Sequence, residues 1–464
     1  MALKKGQILD LEIAGLVFGG RGLAHVDGLT VFVEGGLPGD RVKARIHRKK
    51  RRYAEARAIE VVDASPHRLA APCRYSDFCG GCTWQSLAYE TQLHYKRRHV
   101  SEALAHIGGL GSVTVYPTMP SERVFAYRNK MEFTCSDRRW LLPAELGREG
   151  VGGDFGLGLH VPGTFYKVLD IESCLLQPSL GDAILDDVRA YIRTSGLPVY
   201  GLRSHTGFWR FVMLRHAVAG DRWMVNIVTR ASMPRAVQPL ADALLQRYPQ
   251  IVSVVNNVTA SKAGVAVGES EALLGGAPVI VETVGGLDFE ISANSFFQTN
   301  TRGAEKLYRV VKAYAQLSGS ETVIDLYCGT GTIALLLAGA AGEVVGIEQV
   351  PAAVENARRN ARINSISNCR FAAGDAAQVL TGLDVRPQVM VIDPPRAGLH
   401  PKVIRRVLAL SPARIVYVSC NPATLARDLA LLAENYAPKA VQPVDLFPHT
   451  HHIESVAQLE RKGP

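Results

Sequence analysis

Residues 42–46 read Val, Lys, Ala, Arg, Ile, the two-residue period of a strand with one face in water. Ile8, Leu9, Leu11 and Ile13 open a strand before it, residues 29–33 form another, and residues 53–62 close the set. Glycines 15, 19, 20, 22 and 28 supply the turns. Short strands with glycine turns predict a small oligonucleotide-binding type β-barrel over residues 1–62. Its basic run, residues 48–52, fits either a solvated loop or an edge facing nucleic acid. Residues 84–108 change period: Leu93, Val100, Leu104 and Ile107 share one helical face and Gly108-Gly109 ends it. Lys96, Arg97 and Arg98 fall off that face and predict a basic outer side.

Residues 120–280 read as strand-rich. Residues 127–135 alternate, which puts Arg128 and Lys130 on one face, within reach of one phosphate-bearing ligand. Residues 208–217 and 222–230 form a hairpin about Ala219-Gly220-Asp221, and residues 251–260 a further strand. From residue 286 apolar runs alternate with helical stretches. Four runs end in or near Asp325, Glu348, Asp375 and Asp393, and a fifth ends at Ser419. Repeated strand–helix units predict a doubly wound parallel sheet with ligands at the carboxyl ends of its strands. The expected domains are 1–62, 63–285 and 286–464, with helix 84–108 free to pack on the last; 464 residues fit about three domains of ~150.

Composition narrows the class. No apolar run approaches the ~20 residues of a membrane span, and the first fifteen residues lack a signal-peptide core. A soluble cytoplasmic monomer is expected. A net charge of +9 suits a polyanionic partner. Eight cysteines in a long intracellular chain favour metal ligation or catalysis over disulfides.

The strand, turn and helix of residues 321–334, ETVIDLYCGTGTIA, form a nucleotide-type turn in which Gly329 and Gly331 allow positive φ and close ligand approach. Ala334 stands in place of a third glycine, so the turn alone is shared by many α/β proteins. Glu348 is placed to accept hydrogen bonds from ribose hydroxyls, which suits NAD or S-adenosylmethionine alike. Asp375 is placed to receive an adenine amino group, and Asp325 lies under the turn as a brace. Asp393-Pro394-Pro395-Arg396 makes a rigid wall for a planar base. Ser419-Cys420-Asn421-Pro422 puts a thiol at a strand-to-helix turn, where the helix N-terminus favours a thiolate. Thiolate addition to C6 of uracil makes C5 nucleophilic, and a base must later take the C5 proton. Glu454 is the candidate base.

Cys73, Cys79 and Cys82, in CRYSDFCGGC, have metal-ligand spacing, with Cys174 as the candidate fourth ligand. A three-plus-one pattern suits a [4Fe–4S] cluster, and zinc competes on chemistry alone. His449, His451 and His452 lack a completing acid pattern and read as packing or substrate contact. Cys135, Cys328 and Cys369 read as structural.

Together these motifs resemble the RNA uracil-5-methyltransferase family, and within it the bacterial 23S rRNA enzymes that carry a TRAM domain and an iron–sulfur cluster. The family's FxQxN motif is similar to residues 296–300, and the DLxCGxG, DPPR, SCNP and terminal HxE motifs follow in order. The resemblance implies a Rossmann-like methyltransferase domain, an N-terminal TRAM barrel and a strand-rich central domain. It implies RNA as partner, Cys420 as nucleophile and Glu454 as proton acceptor. S-adenosylmethionine would contact Gln298, Tyr327, Glu348 and Asp393, with Thr332 and Asp375 nearby. Cys73, Cys79, Cys82 and Cys174 would hold the [4Fe–4S] cluster. Tyr327 and Thr332 depart from the commoner Phe and Asn of relatives. Three other readings stand beside it. One is tRNA uridine methylation by the same chemistry. Another is an NAD-dependent oxidoreductase, which leaves DPPR and SCNP unexplained. The last is a non-catalytic ribosome-assembly factor, against which Cys420 and Glu454 argue.

Overall fold

The computed structural model describes residues 3–463. Six strands, from Ile8–Glu12 to Tyr53–Asp63, wrap a small core of Val31, Val33, Val42, Ala44, Ile46, Ala54 and Ala56. Strand Arg41–Lys49 alternates buried and exposed residues as its sequence period requires, and residues 48–52 form an exposed basic hairpin tip.

The central region is built on a seven-stranded sheet. Lys130–Ser136 and Gly156–His160 lie on one side of the hairpin Trp209–Ala217 and Arg222–Thr229, and Ile251–Val258 lies on the other. Two helices, Ser179–Thr194 and Pro234–Arg247, cover it, and the strand-rich reading missed both. Each buries a helical stripe: Ile184, Leu185, Val188 and Ile192 in one, Val237, Leu240, Ala241 and Leu244 in the other. The second helix is required by topology. Ile251–Val258 pairs parallel with Arg222–Thr229, and a parallel neighbour needs a crossover.

The third sheet has eight strands in the order Cys369–Ala373, Glu343–Glu348, Thr322–Leu326, Val389–Ile392, Arg414–Ser419, Glu454–Arg461, Tyr436–Val444 and Thr114–Val115. The first five are parallel, and Glu454–Arg461 enters antiparallel beside Arg414–Ser419. From Thr322–Leu326 the chain first builds outward one way, then returns to build the other way. The switch point falls between Thr322–Leu326 and Val389–Ile392, so the crevice opens at Tyr327 and Asp393. The central strands are sealed on both faces, which is why they read as unbroken apolar runs.

The segment before the central sheet also serves this layer. Thr114–Val115 forms its edge, and helix Tyr89–His106 packs Val100 and Leu104 into the same core as Leu425 and Leu429 of helix Pro422–Leu432. One expectation for this helix is corrected. Arg97 and Arg98 do lie toward its outer side, but Lys96 is fully buried, with its Nζ 2.5 Å from Asp445 Oδ1. A charge at that position is tolerated because its partner arrives from a loop far along the chain.

Candidate active site

The glycine turn holds its shape through backbone geometry and two acids. Tyr327 has φ 67°, and Gly329 and Gly331 have φ 55° and 82°. A Cβ on Gly331 would meet Ala357 Cβ at 2.9 Å, so that position is closed to side chains on two grounds. Asp325 is completely buried; its Oδ2 accepts from Ala334 N at 2.9 Å, bracing the helix start, while Oδ1 has no partner among the described residues. Burial, then the neighbouring Asp393, pushes its carboxyl up to about 8. Glu348 spans the turn, accepting from Gly329 N at 3.1 Å and Val350 N at 2.8 Å. Asp375 caps helix Ala376–Gly382 through Ala377 N and Gln378 N. Thr332 is buried at the first position of its own helix.

Two further strand ends bring the reactive groups together. Asp393 follows Val389–Ile392, and burial raises its carboxyl to about 6. Cys420 follows Arg414–Ser419, and Glu454 begins the adjacent antiparallel strand, where Ser419 pairs with Ser455. The Ser419–Pro422 turn is latched to the proline wall: Asn421 Nδ2 donates to the Arg396 carbonyl at 3.2 Å, and Asn421 Oδ1 caps the following helix through Ala423 N. Glu454 is buried, and burial followed by the charge of Asp393 pushes it to about 8. The expected resting thiolate is not what this environment produces. Burial and then the Glu454 carboxylate lift Cys420 to about 11, against a smaller opposing effect of Arg396. Arg396 lowers Glu454 as well, so it is the countercharge shared by both groups. In the sequence Arg396 figures only as the last residue of the proline wall, and its place after two prolines is the signal for this role.

Gln298 is half-buried, and its carbonyl accepts from Asn129 Nδ2 at 2.9 Å. Asn129 also donates to Thr301 Oγ1, so strand Lys130–Ser136 is tied to residues 296–300. Phe296 is 70% exposed there. Arg128 and Lys130 line one recess of about 440 Å³ together with Gly80, Gly81, His160 and Thr299. His449 is a packing residue stacked on Phe125 at 4.4 Å, while burial holds His451 and His452 near 4.

Cys73, Cys79, Cys82 and Cys174 share one core and are electrostatically coupled. Burial pushes Cys79 to about 11 and Cys174 to about 12. Gly81 N donates to Cys79 Sγ at 3.3 Å, and Cys73 N donates to Gln85 Oε1 at 3.3 Å. A side chain at Gly80 would crowd the His160 carbonyl at 3.1 Å, which keeps the loop tight. Among the described residues no three His, Cys, Asp or Glu side chains lie close enough to hold a single metal ion.

Comparison with known proteins identifies the family. Residues 283–462 match the model of the tRNA (Uracil-5-)-methyltransferase family, and residues 2–59 match the TRAM domain. An uncharacterized RNA methyltransferase of Chlorobaculum tepidum is 44% identical over 469 residues, covering 99% of this chain and 97% of the relative. A second, from Porphyromonas gingivalis, is 43% identical over 97% of this chain and 99% of its own. The chain belongs to the RNA uracil-5-methyltransferase family. Among solved structures, Pyrococcus abyssi tRNA (uracil-54, C5)-methyltransferase, in complex with S-adenosyl-L-homocysteine, superposes with a TM-score of 0.75 at 29% identity, over 97% of this chain and 100% of that one.

In this uracil-5-methyltransferase the loop carrying the histidines and Glu454 is held by helix Tyr89–His106. Asp445 accepts from Lys96 Nζ and from the Tyr89 hydroxyl at 2.8 Å, and Lys96 also donates to the Phe447 carbonyl at 3.0 Å. Gln92 Oε1 accepts from His449 N. No sequence motif announces this network. Asp445→Asn leaves the Lys96 ammonium buried without its countercharge, at a cost of about 3–5 kcal/mol. Urea unfolding followed by tryptophan fluorescence is expected to show that loss and its partial recovery in Lys96→Met/Asp445→Asn. A single-variant loss below about 1 kcal/mol, the scale of an exposed pair, means the pair does not hold the loop.

Proposed function

We propose that this chain methylates C5 of a specific uridine in 23S rRNA through a covalent Cys420–C6 adduct. The observation that carries the reading is the convergence of Cys420, Glu454 and Asp393 at three strand ends around one crevice. S-adenosylmethionine supplies an electrophilic methyl group when bound. The residues fit it: Asp325 has an orphaned buried oxygen under the turn, and Glu348 stands at the neighbouring strand end where ribose hydroxyls would lie. Gln298, Tyr327, Thr332, Asp375 and Asp393 complete the candidate contacts.

Cys420, once deprotonated, forms the C6–S bond, and the ring electrons move onto the carbonyl oxygen as an enolate. C5 would then bond the methyl carbon as that carbon's bond to the sulfonium sulfur breaks, with S-adenosylhomocysteine as the leaving group. Glu454 takes the C5 proton, the C5=C6 double bond re-forms, and the C6–S bond breaks to return the thiolate. The uridine must leave its stack to reach Cys420. The exposed ring of Phe296 is suited to an unstacked base, and the basic barrel tip and Arg128–Lys130 recess to phosphates.

The four cysteines would hold a [4Fe–4S] cluster. Their donor chemistry and shared core fit it, as does the hydrogen bond from Gly81 N to Cys79 Sγ. Uracil methylation needs no electron, so the cluster is assigned a structural part beside the Arg128–Lys130 recess. The tRNA reading is favoured by the superposition on the Pyrococcus abyssi tRNA enzyme. One experiment decides both substrate and chemistry. Protein, S-adenosylmethionine and 5-fluorouridine-containing 23S rRNA or tRNA are incubated and run on a denaturing gel. A covalent complex with rRNA is expected, because fluorine does not leave as a proton would. A complex with tRNA alone moves the substrate; none with either RNA removes the mechanism.

A further inference from the structure

Residues 445–453 lead into the strand that begins at Glu454 and form no helix or strand themselves. The first half of this loop is fixed by hydrogen bonds. Thr83 N and Trp84 N both donate to the His449 carbonyl at 2.9 Å, and the Tyr127 hydroxyl donates to the Pro448 carbonyl at 3.1 Å. His449 turns the chain with φ 64°, a conformation that a residue with a Cβ seldom adopts unless its surroundings hold it. The second half is held by rings. The His451 and His452 centroids lie 4.3 Å apart, and His452 lies 6.1 Å from Phe447. His451 Nδ1 has no hydrogen-bond partner among the described residues, so packing holds that ring.

That packing comes from the barrel. The turn between strands Gly15–Leu16 and Gly22–Val26 carries Phe18 edge-on to His451, with centroids 5.9 Å apart and ring planes at 86°. A Cβ on Gly20, in the same turn, would meet His451 Nδ1, Thr83 Oγ1 and Trp84 Nε1, each at 3.4 Å, so the turn lies directly on the loop. The turn is itself anchored. Trp84 Nε1 donates to the Gly20 carbonyl at 3.3 Å, and His99 Nε2 donates to the Leu16 carbonyl at 3.0 Å. Leu16 and Leu37 share a buried cluster with Trp84, Leu87 and Tyr95. The Phe18 ring keeps 39% of its surface exposed, so truncating it removes the contact with His451 without opening a core.

We propose that Phe18 of the TRAM barrel is a positioning residue of the methyltransferase site: its ring fixes the His451–His452 pair and so sets where the proton acceptor, two residues further on, stands. This rests on the reading of Glu454 as that acceptor. The effect is confined to one step. Cys420 and the proline wall follow other strands, Arg414–Ser419 and Val389–Ile392, so thiol addition and methyl transfer do not depend on the ring, and removal of the C5 proton does. An edge-on ring pair corresponds to a change of up to about tenfold in an equilibrium constant.

The test uses the full-length protein and 23S rRNA, or tRNA if that is the RNA trapped by 5-fluorouridine, carrying uridine tritiated at C5. Methyl incorporation reads addition and transfer; tritium released to water reads removal of the C5 proton. In the first turnover at saturating RNA, Phe18→Ala is expected to incorporate methyl within about twofold of wild type while its tritium release slows about tenfold. Phe18→Tyr, which keeps a ring edge in the same place, is expected to restore release. Amide hydrogen exchange at residues 449–453 should quicken in the first variant and match wild type in the second. A thermal melt checks that Phe18→Ala is folded; should it melt early, Phe18→Leu, which keeps the apolar volume, takes its place. Incorporation and release that fall together make Phe18 an RNA tether or a packing residue, and unchanged rates make it neither; both results overturn the proposal. Normal release in Phe18→Ala beside stalled release in Glu454→Gln keeps the acceptor reading and sinks the role of Phe18. Slowed release in Phe18→Ala beside full-rate release in Glu454→Gln removes Glu454 as acceptor and supports Phe18 as the residue that places another group of the same loop.

Discussion

Cys420→Ala is expected to abolish methyl transfer, with a fall of roughly 10⁴–10⁶-fold by the scale of removing a catalytic nucleophile. The same variant should give no covalent complex with 5-fluorouridine RNA. The reasoning starts from the ring, not the enzyme. C5 of uracil is too poor a nucleophile to attack a methyl sulfonium, and without the C6–S bond no amount of positioning changes that. Cys420→Ser is expected to be nearly as inactive, because an alcohol is a far weaker acid than a thiol and this site already opposes anions. Burial and the Glu454 carboxylate lift even the thiol to about 11. RNA binding should survive in both variants, since the barrel and the Arg128–Lys130 recess are remote from the sulfur in sequence and contribute their own contacts. Filter binding and methyl incorporation on the same preparations separate the two. An undiminished adduct with Cys420→Ala would assign the nucleophile elsewhere.

What the sequence made legible was whatever depends on local pattern. The parallel sheet was readable because Val323–Leu326 and Val389–Ile392 are buried on both faces and so are apolar almost throughout. The strand-end acids were readable because a parallel sheet puts its ligands there. The barrel showed itself in residues 42–46, where burial alternates with the side-chain period. Contacts set by long loops were not readable. Lys96 looked like an outer-face lysine until Asp445, 349 residues later, was found against it. Helix Ser179–Thr194 lies within a strand-rich stretch, and only the spacing of Ile184, Leu185, Val188 and Ile192 marks it as helical. The acidities of Cys420 and Glu454 were also beyond sequence. The helix N-terminus was visible and predicted a thiolate, but burial outweighs it, and burial is a property of the assembled crevice.

Glu454→Gln should separate the two halves of the reaction. The amide keeps the shape of the carboxyl group and cannot accept the C5 proton, so addition and methyl transfer proceed and release stalls. On ordinary RNA a methylated covalent complex is expected to accumulate, with turnover down by about 10²–10⁴-fold, the range for a lost general base. Full-rate turnover would remove Glu454 as the base. The pH dependence follows from the same burial. Glu454 titrates near 8 in the folded protein against an ordinary value of 4.5, so only its ionised fraction serves as base at neutral pH. Steady-state turnover of the wild type is therefore expected to climb between about pH 6 and about 8, and the slow release in Glu454→Gln to lack that limb. Stability runs the other way. A carboxyl whose folded value is raised contributes stability that is complete below about 4.5 and is lost as pH rises through about 8. Above that, the wild type carries a buried carboxylate beside Asp393, held only in part by Arg396. Glu454→Gln removes that charge, and its melting temperature is expected to exceed the wild type's at alkaline pH while matching it in acid. A base strong enough to take a carbon-bound proton is, for the same reason, a group the fold prefers to keep protonated.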